Sequence, residues 1–125
     1  MKYKDDDIQE WPKSWEGVKE DIQYGQEIIK IIMPFIEEMK IKKQSPKTIN
    51  KHIDNLWMLG GTIIKEINYD DDLRKLPPEE MILKSIDSFE GPLIQEFTDY
   101  QQEEFDCTCR KFYKFIIKND SKKMK

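Results

Sequence analysis

Apolar residues recur at helical spacing along most of the chain and predict a bundle of four to five helices. The second predicted helix is the clearest: Ser45 is a suitable N-cap, Pro46 suits the first helical position, and the apolar spacing continues to Ile67. Its apolar side chains fall within an arc of roughly 120° that includes Gly60. We therefore expect Gly60 to allow the close approach of another helix. A break of the helix at Gly60 and Gly61 is the alternative.

Three further helices follow from the same periodicity. The first covers residues 14–42, with Ser14 as its N-cap and a kink or a break next to Pro34. The third is short and covers residues 77–88, after an acidic loop, and the fourth covers residues 98–118. No alternating strand pattern is present, so the expected fold class is all-α.

The 125 residues are typical of one domain, for which the usual size is roughly 50–250 residues. We expect an ordered core at residues 14–118 and flexible tails at residues 1–10 and 119–125. No apolar run approaches the roughly 18 residues of a membrane span, and the N-terminus lacks the apolar stretch of a signal peptide. The two cysteines, Cys107 and Cys109, are too few for a disulfide framework, and a cytoplasmic protein with no membrane partner is expected.

Charge is strongly segregated, although the chain is acidic overall with a formal net charge of −4. Residues 40–65 contain six lysines and one aspartate, whereas residues 66–106 contain thirteen acidic and three basic residues. Residues 107–125 are basic again, with seven basic residues and Asp120. If the second and fourth helices pack through their apolar arcs, their basic faces would share one side and attract phosphates. Alternatively, the basic segments pair with the acidic ones and leave a solvated surface.

The two basic helices also carry a family resemblance. The run from Ser45 to Trp57 resembles the first long helix of the core-binding, SAM-like domain of phage-integrase-type tyrosine recombinases, which opens with Ser-Pro-x-Thr. The segment from Leu76 to Ile82 looks like the next short helix of that family, and the segment from Thr108 to Ile116 is similar to its last helix. The resemblance covers roughly residues 40–118 and implies a SAM-like helical bundle.

In that family these helices lie against duplex DNA, so the resemblance implies a set of phosphate-contacting basic residues. These candidates are Lys47, Lys51, Arg110, Lys111, Lys114 and Lys118. The catalytic domain of the recombinases is missing from the chain. We therefore expect a small non-catalytic domain that binds nucleic acid through the basic faces of the second and fourth helices. The alternative is a protein-interaction or regulatory module that docks on another protein or on a second copy.

Candidate catalytic and metal chemistry is sparse. His52 is the only histidine, no nucleophile-elbow motif accompanies it, and a half-buried position at the edge of the apolar arc is expected. Two cysteines and one histidine cannot complete a tetrahedral zinc site. The acidic residues 70–72 lack the spacing of a calcium loop, and no glycine-rich phosphate loop is present. We predict no enzyme activity, no catalytic residue, no metal site and no cofactor.

Overall fold

A computed structural model describes residues 5–123, with side chains for residues 7–119. The described residues form six α-helices and one 3₁₀ turn, and no strand occurs among them, so the all-α prediction is confirmed. The elements are α1 (Asp5–Gln9), α2 (Trp11–Trp15), α3 (Asp21–Ile41), α4 (Pro46–Tyr69), the 3₁₀ turn (Asp71–Lys75), α5 (Pro78–Ser85) and α6 (Asp99–Lys123).

The three long helices α3, α4 and α6 supply most of the core. Ile32 and Ile36 of α3, Ile53 of α4 and Phe112 of α6 are fully buried. Burying a side chain of this size contributes about 1.5–3 kcal/mol. The ring of Phe35 lies 5.3 Å from that of Phe112 and joins α3 to α6. The apolar arcs that the sequence predicts for these helices therefore meet in one interior.

The N-terminal residues differ from the predicted flexible tail. Residues 5–9 form α1, and Ile8 and Trp11 are buried in the core. Ser14 lies inside α2, where its hydroxyl donates to the Trp11 carbonyl at 2.8 Å, so the prediction that it caps a long helix is wrong. The remaining tail residues 1–4 and 124–125 lie outside the described part of the chain. At the other end, α6 continues to Lys123, beyond the predicted end at residue 118.

The predicted helix over residues 14–42 is interrupted before Asp21. The Asp21 carboxylate accepts hydrogen bonds from the backbone N–H groups of Gly17 at 2.7 Å and Val18 at 2.8 Å. These bonds hold the chain in a turn between α2 and α3. From Asp21 onward α3 is continuous through Pro34, so no break occurs at the proline.

A tight turn brings the end of α3 next to the start of α4. Lys43 adopts a left-handed conformation with φ of 58°, and the Gln44 N–H donates to the Met39 carbonyl at 3.2 Å. Together with the bond from the Lys43 N–H to the Lys40 carbonyl at 3.0 Å, this forms a Schellman ending of the helix. Ser45 then caps α4 by accepting from the Thr48 N–H at 3.2 Å, as the sequence predicts.

Gly60 has the close-approach role that its position on the apolar arc predicts. α4 continues through Gly60 and Gly61 without a break. A Cβ atom at Gly60 would overlap the six-membered ring of Trp15, which is buried. The absence of a side chain at Gly60 therefore allows α2 to pack its indole directly on the α4 backbone.

Gly60→Ala is expected to lower the free energy of unfolding by about 1–3 kcal/mol, since overpacking against a rigid ring costs more than alanine gains in helix propensity. The matched control is Gly61→Ala. There, the added Cβ would lie 3.2 Å from Trp15 Cδ1, so a small effect of either sign is expected. Urea unfolding of both variants checks the prediction. Equal destabilisation by the two substitutions would contradict it.

Candidate nucleic-acid interface

A groove between α3 and α6 collects lysines from both helices. Its apolar floor comes from Phe35 and Phe115, whose ring centroids lie 5.4 Å apart. The volume is about 310 Å³. We call it the lysine groove, and its lining residues are Phe35, Glu38, Met39, Lys42, Gln44, Lys111, Lys114, Phe115 and Lys118.

The charges in the lysine groove are mostly uncompensated. Lys42 pairs with Glu38, with 2.6 Å between Nζ and Oε1. Among the side chains that the structure describes, no carboxylate forms an ion pair with Lys111, Lys114 or Lys118. The groove therefore has four lysines and a single glutamate, which gives an electropositive surface over an apolar floor.

The six predicted phosphate contacts separate into three groups. Lys111, Lys114 and Lys118 lie together in the lysine groove. Lys47 is exposed in the first turn of α4, three residues after Gln44, which also lines the groove.

Lys51 and Arg110 lie outside the lysine groove, and each has a partner within the chain. Lys51 forms an ion pair with Glu104 of α6. On the opposite flank of α6, Arg110 donates from its NH1 group to the Phe89 carbonyl at 2.9 Å and holds the segment before α6. On a helical wheel Arg110 lies near Lys114. Helical periodicity does not show, however, which element packs against each side of α6.

Lys42 is the groove residue that sequence reasoning missed. It follows the last residue of α3 and stands three residues before the Ser45 cap. The signal was present in the lysine-rich run at residues 40–43. What the sequence alone does not provide is the packing of α3 on α6, which brings Lys42 opposite Lys114 and Lys118.

Beneath the basic surface, a buried polar cluster joins α4 to α6. His52 is only 4% exposed, so it is more deeply buried than the predicted boundary position. Its Nδ1 lies 2.7 Å from the hydroxyl of Thr108, which also accepts from Asn55 Nδ2 at 2.8 Å. Burial, followed by the positive charges of Lys111 and Lys51, lowers the pKa of His52 to about 4. His52 is therefore neutral at physiological pH and orients the two helices.

The other chemistry-bearing residues have structural surroundings. Cys109 is buried, and burial raises the pKa of its thiol, with a further contribution from Asp106. Cys107 is half-buried. Asp70 caps the 3₁₀ turn by accepting from the Asp72 N–H at 3.1 Å, where an irregular loop was predicted. Within the described residues, no three His, Cys, Asp or Glu side chains are grouped as a metal site requires.

None of the described helices combines the length and apolar composition that crossing a membrane requires. No protein-family model matches the chain, and no curated protein or solved structure matches it.

Proposed function

We propose that this chain is a non-catalytic helical domain that binds the phosphate backbone of nucleic acid through the lysine groove. The observation that supports this most directly is that three lysines of α6 line one groove with Lys42 at the end of α3, and that none of the three has an ion-pair partner among the described side chains. Phosphate contacts of this kind supply most of the non-specific affinity of proteins for nucleic acid. They require positive charge at the surface and no particular base sequence.

The recombinase-like order of helices belongs to the same proposal. α4, α5 and α6 occupy the three segments that resemble the core-binding domain, and the lysine groove includes the C-terminal half of α6. A SAM-like arrangement with α6 against the DNA would place Lys111, Lys114 and Lys118 on the phosphates. Lys47 would extend the contact from the first turn of α4.

The proposal makes a quantitative prediction about salt. With three to four lysines contacting phosphates, the affinity for a generic duplex is expected to fall on the order of 10²-fold between 50 and 200 mM salt. Replacing Lys114 alone with glutamine should reduce the slope of log affinity against log salt by about 1. Fluorescence anisotropy with a labelled duplex of mixed sequence, repeated at several salt concentrations, measures both quantities.

Charge reversal distinguishes the groove from the surface as a whole. Lys111→Glu combined with Lys114→Glu is expected to weaken duplex binding at least about ten-fold, because two phosphate contacts become repulsive. The matched control is Lys19→Glu combined with Lys84→Glu, which changes the net charge equally at exposed positions away from the groove. Loss of binding by both pairs to the same extent, or no binding at 50 mM salt, would exclude the proposal.

A further inference from the structure

A second surface, between α4 and the segment that leads into α6, has a different chemistry. Two adjoining cavities of about 550 and 580 Å³ share Trp57 and Met58 as their floor. Phe97 and Tyr100 line the first cavity, and Leu93 and Ile94 line the second. We call this continuous depression the aromatic groove.

The aromatic groove exposes large apolar side chains to solvent. Trp57 is 39% exposed, Tyr100 68% and Leu93 79%. The Trp57 indole is held in place, since its Nε1 donates to the Ser14 hydroxyl at 3.3 Å. Large exposed apolar side chains gathered around one depression are typical of interaction sites. Rigid tryptophan and tyrosine side chains are also the residues that most often dominate binding energies at such sites.

The wall of the aromatic groove is acidic. Residues 85–109, which include its Leu93–Tyr100 side, contain seven acidic residues and no lysine or arginine. Three carboxylates, those of Asp54, Glu96 and Glu104, line the two cavities, against a single lysine, Lys65. Lys51 pairs with Glu104 at the edge, so the lining remains acidic by a smaller margin than the segment as a whole. An occupant must therefore combine apolar side chains with positive charge. Carboxylates outnumber lysines along this surface, which disfavours phosphates.

We propose that the aromatic groove is a docking site for a basic amphipathic segment of another protein. Apolar side chains of that segment would pack on Trp57, Met58 and Leu93, while its lysines or arginines would face the acidic wall. Cation–π contact over the exposed face of Trp57 adds to the attraction. A second copy of the chain fits less well, because its described lysine cluster lines a concave groove and the occupant must be convex.

The proposal is tested with two synthetic 18-residue helical peptides, one built of leucine and lysine and one with glutamate in place of lysine. Binding of each labelled peptide to the full chain is measured by anisotropy at low salt. We expect the lysine peptide to bind at least about ten-fold more tightly than the glutamate peptide, and to protect Trp57 from acrylamide quenching, since the other two tryptophans are already buried.

Variants locate the binding surface. Trp57→Ala and Tyr100→Ser are each expected to weaken binding of the lysine peptide at least about ten-fold, as truncation of an aromatic anchor does. Glu96→Lys, which reverses a charge lining the second cavity, should also weaken it. The matched controls are Ile41→Ser, which removes an exposed apolar residue elsewhere, and Glu80→Lys. Thermal melts confirm folding, and Tyr100→Ser keeps the test valid if Trp57→Ala unfolds.

Four results would overturn the proposal. The first is equal binding of the two peptides, and the second is binding that is unchanged by both aromatic substitutions. The third is a dimer, detected by light scattering without peptide, in which Trp57 is already protected from quenching. Failure of the lysine peptide to bind at low salt has the same consequence. None of these results depends on the lysine groove, so they leave the proposed nucleic-acid binding unaffected.

Discussion

Asp21→Ala is expected to lower the free energy of unfolding by about 3–5 kcal/mol, because it removes the partner of a half-buried guanidinium and leaves several donors without an acceptor. The Asp21 side chain is fully buried and accepts from Arg74 NH1 at 2.8 Å and from Asn68 Nδ2 at 2.7 Å. It also accepts from the two backbone N–H groups that form the turn before α3. A single carboxylate thereby joins α3 to the end of α4 and to the 3₁₀ turn.

The neighbouring acid Asp71 is the matched control for this prediction. Its carboxylate lies 3.7 Å from Arg74 Nε and is 89% exposed, so Asp71→Ala is expected to cost less than about 1 kcal/mol. Chemical denaturation of the two variants measures the difference. An Asp21→Ala variant no less stable than Asp71→Ala would mean that the Arg74 contact contributes little.

The acid response of Asp21 gives a second measure of the same contacts. Burial raises the pKa of Asp21, but the hydrogen bonds from Asn68, Val18, Arg74 and Gly17 outweigh it and hold the pKa below its ordinary value. The folded state therefore binds the proton less readily than the unfolded state. The stability that Asp21 contributes is complete above about pH 4, the pKa in the unfolded chain, and is lost as the pH falls further.

Local sequence signals were sufficient to predict those features of the fold that depend on residues close together in the sequence. Ser45 and Pro46 begin α4 because a capping hydroxyl and a preset backbone angle act within one turn. The position of Gly60 on the apolar arc was likewise enough to predict a close approach. It gave no indication that the approaching group is the indole of Trp15.

Determinants that are distant in sequence could not be predicted in the same way. The break before α3 depends on a carboxylate whose other partners, Asn68 and Arg74, lie about fifty residues further along the chain. Periodicity alone therefore favoured one continuous helix. α1 was missed for a different reason, because its three consecutive aspartates concealed the buried residue Ile8.

The basic surface illustrates the same limit at the candidate site. Charge segregation identified the two segments that supply the lysines of the groove, and helical spacing placed Lys111, Lys114 and Lys118 on one side of α6. Their gathering with Lys42 depends on the aromatic contact between Phe35 and Phe115, which connects residues eighty positions apart. An amphipathic pattern identifies a buried face without identifying its partner.

The free energy of unfolding is expected to fall by about 2–3 kcal/mol as the pH decreases from 7 to 4, because of His52. In the unfolded chain the imidazole has its ordinary pKa of 6.5, whereas in the folded protein burial and the charges of Lys111 and Lys51 lower the pKa to about 4. Between these values the unfolded state binds a proton that the folded state excludes. Each pH unit within that window therefore costs about 1.4 kcal/mol, and the contribution is fully present above pH 6.5.

His52→Asn separates this contribution from that of the carboxylates, because asparagine keeps a polar group near Thr108 but does not titrate. The variant is expected to be less stable at pH 7, since it loses buried ring volume, yet to show a flatter stability profile between pH 6.5 and 4.5. Urea unfolding at several pH values gives the difference between the two profiles, in which the carboxylate contributions cancel. A constant difference across that range would mean that His52 becomes protonated in the folded protein as readily as in the unfolded chain. If stability is lost only below pH 4, the acid sensitivity belongs to Asp21 instead. The predictions for His52 and Asp21 therefore apply to separate pH ranges.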